Sequence, residues 1–348
     1  MELLIYLILF LLVLIVSSTT NKLLPFLPLP LVQILLGIVI GLFLPNTDFH
    51  LNTELFLALV IGPLLFRESE EADITAILKH WRIIVYLIFP VIFISTLSLG
   101  GLAHLLWLSL PLVACLAVGA ALGPTDLVAF ASLSERFSFP KRVSNILKGE
   151  GLLNDASGLV AFQVALTAWT TGAFSLGQAS SSLIFSILGG FLIGFVTAMT
   201  NRFLHSFLLS VRATDIASEL LLELSLPLVT FFLAEEVHVS GIIAVVVAGI
   251  LKASRFKKIT LLEAQVDTVT ETVWHTVNFM LNGSVFVILG MELEMIAEPI
   301  LTNPIYNPLL LLVSLVVLTF VLFAIRFVMI YGYYAYRTRR LKKKLNKY

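Results

Sequence analysis

The sequence predicts an all-α protein that crosses a membrane many times, and three observations predict it. Of its 348 residues, 59% are hydrophobic and only 13% are charged, against roughly 25% charged in a soluble domain. Apolar runs recur along the whole chain, each about long enough to cross a hydrocarbon core of ~30 Å. Basic residues cluster in alternate connections between those runs, which is the asymmetry of the positive-inside rule. The zero net charge gives no case for nucleic acid, and no cofactor motif is present. Cys115 is the single cysteine, so an internal disulfide is excluded, and without metal-ligand companions it reads as a buried small residue.

In order, the spans are roughly 2–18, 29–44, 51–66, 82–99, 110–133, 147–170, 182–203, 217–234, 238–254, 270–291 and 306–330, with 331–348 a basic cytoplasmic tail. The first lacks a basic start and reads as an uncleaved anchor, despite the small residues Ser17 to Thr20. The connection after it holds Lys22. The third holds Arg67, Lys79 and Arg82; the fifth, Arg136, Lys141 and Arg142, with Lys148 just beyond. The seventh carries Arg202 and Arg212, and the ninth Lys252, Arg255, Lys257 and Lys258. The even-numbered connections hold neither Lys nor Arg. That alternation puts the N-terminus outside and the C-terminus in the cytoplasm, and an error of one span would scramble it.

The expectation is a multi-pass protein of the cell membrane, one transmembrane domain over 1–348, embedded in the lipid bilayer. The stretch Arg67 to Trp81, RESEEADITAILKHW, reads as a solvated connector along the cytoplasmic interface. The basic tail reads as a topology signal rather than a lipid-recognition site.

Spans five and six carry the chemistry. In LGPTDLVAF, Gly123 and Pro124 break the helix, because proline removes a backbone donor and clashes with the preceding turn. Thr125 and Asp126 follow at once. Freed backbone groups are tolerated in lipid only where protein buries them or a water-filled cavity meets them, and loose carbonyls beside an acid can hold a cation. Asp126 precedes the inner end of span five, and Asp155 follows the inner start of span six. Both lie about 10–12 Å from the cytoplasmic face, so two acids on adjacent helices can share one site.

In GEGLLNDASGLVAF, Gly151, Asp155 and Gly158 form one stripe, where small residues admit a close neighbour. Asn154 lies beside it and can orient the carboxylate or its ion, and ionisable residues at such depth are functional by default. Glu150 lies nearer the cytoplasmic face, at the depth of Arg326 in span eleven, so the two are expected to form an ion pair that cross-links helices. Glu235, Glu236 and His238 read as an ordinary solvated turn at the outer end of span eight. Asn282, Gly283 and Ser284 read as helix packing with a polar lining.

With these residues in hand, the chain resembles the monovalent cation:proton antiporters of the sodium/proton exchanger type. GPTDLVAF, GEGLLNDASGLVAF, LAEEVHVSGIIAVVVAGI and FMLNGSVFVILGMEL look like successive family signatures in order, and the likeness covers essentially the whole chain. The resemblance implies an inverted-repeat fold with a broken helix and thirteen transmembrane helices, usually in a homodimer. About eleven of the thirteen are counted here, so the chain is expected to lack two C-terminal helices.

The resemblance further implies that Asp155 alternately binds cation and proton, that Asp126 and Thr125 help form the ion site, and that Asn154 supports it. Na⁺ is the implied cation, with K⁺ or Li⁺ open. Glu150 and Arg326 would be a structural pair, and Asn-Asp rather than Asp-Asp goes with electroneutral exchange of one cation for one proton. Gly151 stands where many members have a serine, and Leu127 where a proline is common. The rivals are an inactive or partial fragment of such an antiporter, an intramembrane aspartyl protease and a carrier of organic substrates. The protease expects Gly-x-Gly-Asp and Tyr-Asp contexts, where this chain has Asn-Asp and Thr-Asp.

Overall fold

The computed structural model describes residues 2–24, 26–43, 52–107, 109–125, 137–171, 176–211, 215–253, 261–302 and 307–345, and every regular element among them is helical. In chain order the helices are α1 (Glu2–Leu23), α2 (Leu29–Phe43), α3 (Thr53–Phe56), α4 (Gly62–Glu71), α5 (Ile74–Tyr86), α6 (Ile92–Leu106) and α7 (Leu112–Leu122). They continue with α8 (Lys141–Thr171), α9 (Leu176–Ser210), α10 (Ile216–Glu236), α11 (Gly241–Ala253), α12 (Leu261–Thr302) and α13 (Pro308–Leu345). Two π-helical turns are set into this series. Leu57–Ile61 joins α3 to α4, and Leu87–Val91, which carries Pro90, joins α5 to α6.

Side chains fix several helix starts. Asn52 Oδ1 accepts from the backbone of Glu54 and Leu55, at 3.0 and 3.1 Å, and so opens α3. Asn307 does the same for Leu309 and Leu310, ahead of Pro308 at the first position of α13. Asp215 and Ser218 form a reciprocal capping box on α10. The hydrogen bonds from Ser218 hold the Asp215 carboxyl below the usual carboxylate range.

Among the described residues, five helical stretches are long and apolar enough to cross a membrane: Ile74–Leu106, Ile184–Ser210, Ile216–Glu236, Thr268–Ala297 and Pro308–Arg339. Four more, Ile8–Leu23, Leu29–Phe43, Leu112–Leu122 and Gly241–Ala253, are apolar but shorter. The protein is therefore all-α and polytopic, and its spans are not eleven equal rods. Span three is divided by a π turn, and span five stops as a helix at Leu122.

The stretch from Arg67 to Trp81 also differs from expectation. It is not one solvated connector but the end of α4 and the start of α5, separated at Ala72 and Asp73. Ser69 is buried, and Arg67 and Glu70 are engaged with partners described below. Apolar residues at helical spacing, Ile74, Ile77 and Leu78, carry the restart.

The chain divides into two compact units. The first comprises Met1–Ile74, Leu127–Lys141 and Ser181–Thr302; the second comprises Thr75–Asp126, Arg142–Ser180 and Asn303–Tyr348. In the first, α2 and α12 run parallel in close contact. A Cβ on Gly37 would strike the backbone of Val287 and Gly290, and one on Gly290 would strike Ile34 and Gly37. One turn earlier, Gly283 makes room for Leu14 and Gln33. This is the small-residue packing that lets membrane helices touch through their backbones.

In the second unit α6 and α7 do the same in antiparallel fashion, with Gly100 against Leu116 and Gly119 against Thr96. Cys115 is buried there beside Leu99, Ala103 and Leu318, as expected of a small apolar residue. A second cluster joins Ile83, Ile84, Leu87, Ile88, Val91 and Ile92 to Ile146 of α8, with Met329 and Tyr333 of α13 packed against it.

Candidate functional site

The site lies within the second unit, where α7 ends. Any helix end leaves carbonyl oxygens without intrahelical donors, and here Pro124, which has no N–H, cannot serve the carbonyl of Ala120. Gly123 and Pro124 depart from helical structure, and Thr125 follows in irregular backbone. The carbonyl of Gly123 receives Nη2 of Arg326, from α13, at 2.5 Å. The Nη1 atom of the same guanidinium lies 3.3 Å from Glu150 Oε1 on α8.

Glu150 Oε1 also accepts the Thr125 hydroxyl at 3.3 Å. Asn154 Nδ2 in turn donates to Thr125 Oγ1 at 3.1 Å. Glu150 and Asn154 are four residues apart on α8, hence on one face, and both are buried, at 2% and 0% exposure. The contacts thus run from Asn154 to Thr125, to Glu150, to Arg326 and back to Gly123. They begin and end on the same break in the backbone.

Gly158 lies one turn past Asn154 on α8. A Cβ there would run into the ring of Pro124, so glycine lets the broken segment seat against α8. Gly151 is buried on the same helix.

The structure therefore brings together Gly123, Pro124, Thr125, Glu150, Asn154, Gly158 and Arg326. Asp126 lies outside the described residues. Asp155 is described only as a backbone position on α8, one residue past Asn154. The sequence grouped Thr125 and Asn154 with the acids, and Glu150 with Arg326 as a separate pair. The structure joins these groups through the Thr125–Glu150 hydrogen bond. Sequence reasoning missed the Gly123 carbonyl as an acceptor for Arg326, although the Gly-Pro break signalled that some donor had to reach it.

A second polar cluster, in the first unit, was not foreseen. Arg67 reaches Glu70 at 3.0 Å and Glu71 at 2.7 Å. Lys252 of α11 bridges Glu70 at 3.4 Å and Glu223 of α10 at 2.7 Å. The indole of Trp274, on α12, donates to Glu223 at 3.0 Å, and the Arg67 guanidinium lies 5.8 Å from its ring centroid. His205 of α9 lies 3.2 Å from Glu219 of α10. At the other end of α10, Glu235 accepts the backbone N–H of Gly241 at 3.2 Å, and His238 has a φ of 58°. Glu235 therefore also helps start α11, while Glu235, Glu236 and His238 are all exposed, as a solvated turn requires.

The family model described as sodium/hydrogen exchanger, transmembrane, matches residues 7–345. The chain belongs to the sodium/hydrogen exchanger family. Within the family it is 36% identical, over 338 residues, to a sodium, potassium, lithium and rubidium/H(+) antiporter of Bacillus pumilus (strain SAFR-032), a match covering 97% of this chain and 50% of that protein. The protein of the same description from Bacillus subtilis (strain 168) is 37% identical over 312 residues, 90% of this chain and 47% of that one. The chain thus spans about half the length of the curated relatives it matches. Its fold is similar to that of the sodium proton antiporter MjNhaP1 from Methanocaldococcus jannaschii. The TM-score is 0.65 at 20% identity, over 84% of this chain and 71% of the other.

Proposed function

We propose that this chain is a secondary active transporter, not an enzyme, which exchanges a monovalent cation for a proton by competition for Asp155. One observation carries the proposal: the end of α7 at Gly123 and Pro124 is tied down inside the second unit by Arg326, Glu150, Thr125 and Asn154, and in sequence Asp126 follows Thr125 directly and Asp155 follows Asn154. A cation site calls for such an arrangement, because hard oxygen ligands and loosened backbone must meet an acid away from water.

The physical logic is that a bare carboxylate is costly in a low-dielectric medium, whereas a protonated or cation-paired one is not. Asp155 can carry either partner but not both. Only its two neutral forms pass readily between the faces, so the two fluxes are coupled. Asn154 adds no second charge, and so one cation would exchange for one proton. Asp126 and Thr125 would contribute ligands. Glu150 and Arg326 would keep the break in shape.

Family membership, the relatives' printed descriptions and the fold support this reading. The reading also includes eleven spans over 2–330, an inverted repeat, a homodimer, and a cytoplasmic C-terminus argued from the alternating basic connections. Na⁺ is the first cation to test, followed by K⁺ and Li⁺, which the Bacillus relatives' descriptions also name.

The test uses the purified chain in vesicles with an internal pH indicator. A Na⁺ pulse outside should raise internal pH, and Asp155→Asn should abolish the response while leaving the protein folded. Exchange that persists in Asp155→Asn, or its absence from the unmodified chain, would overturn the proposal.

A further inference from the structure

The two units carry opposite charge. The second contains twelve Lys and Arg against three Asp and Glu, a net charge of +9. Those acids are Asp126, Asp155 and the paired Glu150. Six cations of this unit are exposed: Lys79 and Arg82 on α5, Arg142 and Lys148 on α8, and Arg337 and Arg339 on α13. Among the described residues none of the six is paired with an acid.

The three helices converge at these ends. A Cβ on Gly149 of α8 would touch Ile77 and Ile84 of α5. Tyr86 of α5 donates to the Met329 carbonyl of α13 at 3.2 Å, and its ring lies 4.8 Å from that of Tyr333. Beyond the tyrosines α13 continues as a helix to Leu345, through Arg340, Lys342, Lys343 and Lys344. From Asn303 to Tyr348 the sequence has no acid.

Aromatic side chains set the level of this patch. Tyr331, Tyr334 and Tyr336 precede the basic run, and the Arg82 guanidinium lies 5.6 Å from the ring centroid of Trp81. Tyrosine and tryptophan concentrate where acyl chains meet headgroups, so the cations just beyond them stand at the height of lipid phosphates. A topology signal needs only a bias of charge in a connection. It does not need three helices gathered into one basic surface with an aromatic rim.

We infer that this end of the second unit is a docking surface for the headgroups of anionic phospholipids in the leaflet it faces. The inference does not depend on transport, so failure of the exchange reading leaves it standing.

The full chain, placed in bilayers of equal parts phosphatidylglycerol and phosphatidylcholine and excised with a lipid-solubilising polymer, should retain phosphatidylglycerol in excess of the bulk ratio. An enrichment of about threefold is expected from several cations near a charged surface. Lys79→Gln, Arg82→Gln, Arg337→Gln and Arg339→Gln together should return the ratio to bulk. Unchanged enrichment in that variant, or none in the parent, would overturn the inference. If the variant fails to insert, the parent decides: enrichment that does not fall between about 0.05 and 0.5 M NaCl is not electrostatic, and overturns it too. Displacement of the lipid by millimolar inorganic phosphate would mark a free-anion site and would likewise overturn it.

Discussion

Both units hold a partly buried arginine beside a glutamate, and they differ in what else the arginine must serve. In the first unit Arg67 has two acids and lies over an indole, while Lys252 takes up Glu70 and Glu223. The contacts of that cluster all run from side chain to side chain, so its members answer only to one another. In the second unit one guanidinium divides itself between Glu150 and the open carbonyl of Gly123. The comparison teaches that similar side-chain chemistry can brace a frame or hold a defect open. Which it does depends on whether a backbone group is among the partners.

The largest expected effect tests the second cluster. Glu150→Ala would leave the partly buried Arg326 without its counter-charge and should destabilise the protein by up to about 3 kcal/mol, read by unfolding in mixed micelles. Replacing both partners by leucine sharpens the comparison. In an ordinary buried pair the double replacement is often close to neutral. Here it should still cost about 1–3 kcal/mol, because the Gly123 carbonyl loses its donor. A neutral double variant would mean that the arginine does not serve the break.

Next in size, Glu223→Ala should cost about 1.5–3 kcal/mol through the lost contacts to Lys252 and Trp274. It should leave the cation dependence of any exchange unchanged, since the frame is not the site. Gly158→Ala should reverse that pattern. Its methyl group meets the Pro124 ring, for about 1–2 kcal/mol of overpacking, and exchange should fall by far more than stability does.

The smallest effect concerns pH. The folded Asp215 carboxyl titrates below its unfolded value because Ser218 donates to it. Its capping contribution is therefore present above the ordinary carboxylate pKa and fades as pH falls through the lower, folded one. Amide exchange at the start of α10 should accelerate only in that acidic window, and Asp215→Asn should remove the pH dependence.

The sequence made the second cluster more legible than the first. Gly123 and Pro124 announce a break through backbone chemistry alone, and matched depth placed Glu150 with Arg326 although 176 positions separate them. Topology supplied that long-range information, because a membrane gives every residue one known coordinate. The partners of Arg67 gave no such cue. Lys252 sits two residues from the end of its span, where charge is cheap, and Glu223, six residues inside span eight, had no basic residue at matching depth within a span to point to. The stretch after Arg67 therefore read as solvated. The π turns were equally hidden, since one extra residue in a uniformly apolar run leaves no mark on periodicity over so short a distance.

The turn at Leu87–Val91 has a consequence for inheritance. One residue there is surplus to a regular helix, and each helical residue advances the facing direction by about 100°. A single-codon deletion in this turn would thus be absorbed, the π turn closing to an α turn, whereas the same deletion at Ser95, in regular helix, would act as a frameshift in space. It would change no other letter of the sequence, yet it would turn the rest of α6 so that Leu99, now 0% exposed, left its seat.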